Sequence, residues 1–62
     1  MGAEVNFIHT EDVFKRIVRL RIENLKDIKR QFEQYYKLTG DDVYKRQVWR
    51  IERKIKMLEE LL

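Results

Sequence analysis

Cysteine is absent from this chain of 62 residues, and so is proline. Without cysteine there is no disulfide to staple a short domain and no thiolate to ligate a metal. His9 is the single histidine and cannot build a zinc site by itself. No cofactor or metal is therefore expected. Also missing is any apolar run near the ~20 residues that a membrane span requires. The N-terminus lacks the basic-then-apolar order of a secretory signal, and Asn6 stands where a myristoylation signal needs Ser or Thr. These absences point to a cytoplasmic setting with no membrane partner.

The motifs of catalysis are missing as well. There is no glycine-rich phosphate loop, no nucleophile with a companion base and no metal-ligand spacing. Asp41-Asp42 and Glu59-Glu60 are adjacent carboxylates. Neighbouring helical residues diverge by about 100°, whereas catalytic acid/base pairs converge on one point. Asp41-Asp42 reads instead as helix-start chemistry, and His9 as a surface residue. An enzyme is not expected.

What is present is charge and apolar residues in a regular alternation. Charged residues make up 40% and hydrophobic residues 44% of the chain, too many of the latter for a disordered segment. The net charge of +3 is mildly basic. It permits an acidic partner without demanding one, because both signs are interleaved.

With no proline, and Gly40 the only glycine beyond Gly2, two long stretches can be helical without interruption. The expected organisation is one domain over residues 1–62. It comprises a tail over 1–9, helix 1 over 10–38, a turn at 39–41 and helix 2 over 42–62. Thr10 can cap the first helix, with Glu11 and Asp12 at its positive end. Gly40 can take the left-handed conformation that stops a helix, and Thr39 or Asp41 can cap the next one. So short a connection makes the helices antiparallel.

The apolar spacing carries the strongest signal. In helix 2, Tyr44, Val48, Ile51, Ile55, Leu58 and Leu62 alternate steps of four and three. In helix 1, Phe14, Val18, Arg21, Leu25, Ile28, Phe32 and Tyr35 do the same. Both are seams of the coiled-coil type. In an antiparallel hairpin the positions of facing residues add to a constant. Val18 with Leu62, Leu25 with Ile55 and Phe32 with Val48 add to 80, and Arg21 with Leu58, Ile28 with Ile51 and Tyr35 with Tyr44 to 79. The predicted fold is an all-α, antiparallel two-helix hairpin. Arg21, the one polar seam position, is read as a packed stem whose guanidinium reaches Glu59 or solvent.

The hairpin leaves apolar residues over. Helix 1 outruns helix 2, so Val13, Phe14 and Ile17 have nothing to face, and Val5, Phe7 and Ile8 precede them. Leu20, Ile22, Met57 and Leu61 lie off the seams at the same end. Exposed together, they exceed what soluble monomers usually tolerate. Either the tail folds back over them, or a second copy or another protein packs there; the second reading is preferred, with self-association into a four-helix bundle ahead. The expected interface is Phe7, Ile8, Val13, Phe14, Ile17, Leu20, Met57 and Leu61.

Helix 2 also carries Lys45, Arg46, Trp49, Arg50, Arg53 and Lys56, with Glu52 the one acid between the two lysines. A basic stripe with an aromatic is the footprint of phosphate-backbone or RNA contact. A solvated face, with Trp49 at the flank of a bundle, is the plainer reading. The function expected from sequence is thus a non-enzymatic protein–protein interaction and oligomerisation module. The alternative is a small nucleic-acid-binding protein that uses the helix 2 stripe. A segment of a longer protein is a third reading, because Glu59-Glu60-Leu61-Leu62 ends helix 2 without a capping glycine.

Overall fold

The computed structural model describes the backbone of residues 2–62 and the side chains of residues 12–62. It consists of two α-helices packed against each other, α1 (Gly2–Thr39) and α2 (Asp42–Glu59), with no strand among the described residues. No helix of the described residues is long and apolar enough to cross a membrane. α1 begins at Gly2, where the sequence reading sets a tail over 1–9 and a helix start at Thr10. The physical reason is that Thr10 offers a cap but no stop. Nothing between Ala3 and Leu38 is a proline or glycine, so the helix can run through it. α2 ends at Glu59, three residues short of the expected Leu62, and the backbone N–H groups of Leu61 and Leu62 donate to the Leu58 and Glu59 carbonyls in a tightened last turn.

The turn is built from the residues that the sequence marks for it. Gly40 sits at φ +68°, the left-handed region where a Cβ is costly, and its N–H donates to the Tyr36 carbonyl at 2.7 Å. The Thr39 hydroxyl donates to the Tyr35 carbonyl at 2.8 Å and accepts from the Asp41 N–H at 3.2 Å. Asp41 is the N-cap of α2. It is extended, at φ −81° and ψ 123°, and its Oδ1 accepts from the Val43 N–H at 3.0 Å.

The core is a narrow seam. Val18 and Ile22 of α1 are buried with Val48, Ile51 and Ile55 of α2, while Leu25, Phe32 and Leu58 pack against them. For α2 the buried and half-buried positions are those of the expected seam with Gln47 added beside it, and Leu62 is left exposed at its end. For α1 the seam needs correcting. Val18, Leu25 and Phe32 hold, but in the layers between them Ile22, Lys29 and Tyr36 turn inward in place of Arg21, Ile28 and Tyr35. Both choices step by four and three, so periodicity cannot separate them. Rotation of α1 toward the Ile22 side buries a full aliphatic side chain and releases Arg21 to solvent. The same rotation places the Lys29 stem at the seam while its ammonium reaches Glu52.

Near the turn the seam closes with aromatic rings. Tyr35 and Tyr44 lie 5.5 Å apart between centroids, Phe32 and Tyr44 6.1 Å, and Phe32 and Tyr35 6.2 Å. These are distances at which tilted and edge-on rings attract. Tyr35 reaches Tyr44 from the flank, since Tyr36 holds the inward position of that layer.

Candidate functional site

A hairpin of two helices has two broad faces, which run across both helices, and two backs. Which side chains lie on which follows from the rotation of about 100° per residue. Because the helices run in opposite directions, equal rotations away from the seam bring α1 and α2 side chains to the same broad face.

One broad face is charged. Lys26, Lys29, Arg30 and Glu33 of α1 and Glu52, Lys56 and Glu59 of α2 line a shallow groove between the helices. Lys29 Nζ approaches Glu52 Oε1 at 3.5 Å across it. Two further pairs lie along α1, Lys26 with Glu23 at 3.8 Å and Arg30 with Asp27. These pairs are solvated and contribute little to stability individually.

The opposite broad face holds most of the exposed apolar residues. On α1, Ile17, Ile28 and Tyr35 lie a quarter turn from the seam, with Val13 and Leu20 somewhat further round. On α2, Leu61 and Val43 occupy the matching quarter turn, with Met57 beyond them. All are exposed, among them Ile17 at 57%, Leu20 at 62% and Met57 at 66%. The open end is the richest, since Val13, Ile17 and Leu20 there meet Met57 and Leu61. Phe14 continues this surface along α1 and is half exposed. Between the open end and the turn the face carries the amides of Asn24, Gln31 and Gln47 together with the cations Arg21, Lys54 and Arg50, the last of which lies between Val43 and Met57 along α2. Of the expected interface residues, Val13, Phe14, Ile17, Leu20, Met57 and Leu61 are thus brought to one end of the molecule. Phe7 and Ile8 lie outside the residues whose side chains are described.

The back of α2 is the third surface. Arg46, Trp49, Arg50 and Arg53 line a shallow groove there, and Asp42 and Lys45 extend it toward the turn. Lys45 Nζ lies 5.5 Å from the Trp49 ring and 5.9 Å from the Tyr36 ring, so the ammonium bridges two aromatic rings. The indole itself is 59% exposed. Lys56, grouped with this stripe in the sequence, instead lines the charged broad face beside Glu52 and Glu59. Glu52 also leaves the stripe, since its carboxylate faces Lys29. Among the described residues, none of Lys45, Arg46, Arg50 and Arg53 takes part in an ion pair.

Among the described residues no group of three or more His, Cys, Asp or Glu is placed to hold a metal ion. The adjacent carboxylates separate as expected: Asp41 caps α2 while Asp42 begins it. Sequence reasoning missed the inward positions Lys29 and Tyr36. Their signal was available in the alternative four-three path from Val18, which an equally regular path obscured. No family model matches the chain, and no curated protein or solved structure matches it.

Proposed function

We propose that the hairpin is a self-association module, in which a second copy packs on the apolar broad face to complete a four-helix bundle. The observation that carries this reading is the sidedness of the exposed apolar residues. Both helices direct them to one broad face, while the other broad face carries the ion pair between the helices. A face of this kind is self-complementary under a two-fold axis, which sets like patch against like patch. The three amides in its middle can pair across the axis and specify register, a role that isolated polar residues serve in coiled coils.

Core size and helix length favour a second copy over an unrelated protein. Among the described residues only five apolar side chains are buried, a core too small to supply more than ~3–5 kcal/mol unaided. Association is the remaining source of stability for a chain that has no disulfide. Furthermore, α1 outruns α2, so the surface of Val13, Phe14 and Ile17 needs a helix of comparable reach, and the same overhang on a second copy has it. Sedimentation equilibrium over a wide concentration range tests this directly. The expected species is a dimer that Leu20→Glu with Leu61→Glu converts to a helical monomer. A native chain that stays monomeric at high micromolar concentration removes the proposal.

A further inference from the structure

We infer that the back of α2 is a binding surface for single-stranded nucleic acid, with Arg46, Arg50 and Arg53 on phosphates and Trp49 stacked on an unpaired base. This goes beyond self-association and uses a surface centred on the back of α2, with Arg50 at its border with the apolar face.

Arg46, Arg50 and Arg53 form no ion pair among the described residues, although six acids lie on α1 between residues 12 and 33 or on α2 at 52 and 59, and Asp42 lines the groove beside Arg46. Glu52, the one acid between Lys45 and Lys56, pairs with Lys29 at 3.5 Å on the charged face. Three guanidiniums within two turns of helix are left to solvent on one side. Guanidinium groups bind phosphate in a forked geometry and are weakly hydrated, which suits transfer from water to a phosphodiester chain.

The aromatic residue decides which polyanion. Trp49 lies between Arg46 and Arg53 along the helix, in the groove those arginines line. Its ring is more than half exposed, an unusual position for the most costly residue to leave in water, and the Lys45 ammonium lies over it at 5.5 Å. A duplex has its base faces stacked internally and offers nothing for an indole to cover. A single strand presents those faces, and cationic grooves with stacking aromatics are the general means of holding one. A membrane surface fits poorly, because interfacial helices need a broad apolar face and this one has a single apolar side chain.

Titration of labelled dodecauridylate with the full chain, followed by anisotropy and by Trp49 fluorescence, tests the inference. Quenching of Trp49 and binding tighter than ~10⁻⁴ M at physiological salt are expected. The slope of log affinity against log salt should lie near −2 to −3, since each of three to four contacted phosphates contributes about −0.7. Replacing Arg46, Arg50 and Arg53 with Gln should weaken binding at least tenfold and flatten that slope, with unchanged helix content by circular dichroism. Trp49→Leu, read by anisotropy, should weaken it roughly fivefold or more. Absence of salt-dependent binding overturns the inference. So does equal affinity for a duplex of the same length with no effect of Trp49→Leu. Displacement of the oligonucleotide by polyglutamate or phosphatidylserine vesicles at lower charge concentration assigns the surface to another partner, and likewise overturns it.

Discussion

Lys29 of α1 and Glu52 of α2 meet across the charged face, Nζ to Oε1 at 3.5 Å, and the one acid between Lys45 and Lys56 thus lies on that face and not among the arginines. The ammonium stem lies half-buried at the seam, so the pair both covers the core edge and clears the back of α2. Exposed pairs of this kind are worth about 0–1 kcal/mol. Glu52→Gln should therefore lower the unfolding free energy by less than about 1 kcal/mol, with Lys29→Gln adding little more in a double-mutant cycle. The same Glu52→Gln change should alter oligonucleotide affinity less than Arg50→Gln does. A larger effect at Glu52 would place its carboxylate on the back of α2.

The observed seam predicts an inversion between neighbours. Ile22 is buried and Arg21 is exposed. Ile22→Ala should cost about 2–4 kcal/mol, as deletions from a packed core do, while Arg21→Ala should stay within about 0.5 kcal/mol. On a domain this small each kcal/mol is about 4–8 °C of melting temperature, so thermal unfolding separates the two. If Arg21→Ala proves the more damaging, α1 is rotated the other way.

The turn predicts two moderate losses of similar size by different causes. Gly40 has open space where a Cβ would stand, but its φ is +68°. Gly40→Ala should therefore cost about 1–2 kcal/mol from backbone strain alone, and Gly40→Asn, which tolerates this conformation, less. Asp41→Ala removes the acceptor for the Val43 N–H and should cost about 0.5–2 kcal/mol, with Asp41→Ser nearly neutral. Chemical denaturation of the four variants checks the order.

Self-association predicts that stability depends on protein concentration, because association stabilises only the folded state. The melting temperature should rise over a hundredfold increase in concentration. Ile17→Lys or Met57→Lys should abolish that rise without lowering the helix content of the folded chain at low temperature, since both side chains are already exposed in the single hairpin. Arg53→Gln and Trp49→Leu, on the back of α2, should leave the concentration dependence in place.

Much of the fold could be read from residue order alone. Helix, not strand, followed from four-three apolar spacing and the lack of proline. The stop at Gly40 and restart at Asp41 followed from the two residue types that satisfy helix ends, and the structure holds both in those conformations. The seam of α2 was legible because only one four-three path through it is apolar throughout. In α1 two four-three paths share Val18, Leu25 and Phe32, and each carries one cation, Arg21 or Lys29. Choosing between them needs the direction from which α2 approaches, which is a property of the turn and the packed pair. Tertiary structure resolved it in favour of Ile22 and let a lysine occupy a seam position, because a long stem can pack while its charge finds Glu52. The candidate surfaces divide in the same way. That apolar residues would be left over at the open end was countable in the sequence. That they share one broad face, while Lys56 and Glu52 leave the basic stripe for the other, depends on the rotation of both helices about their seam. Rotation is the coordinate that a repeat of four and three leaves undetermined and that side-chain burial decides.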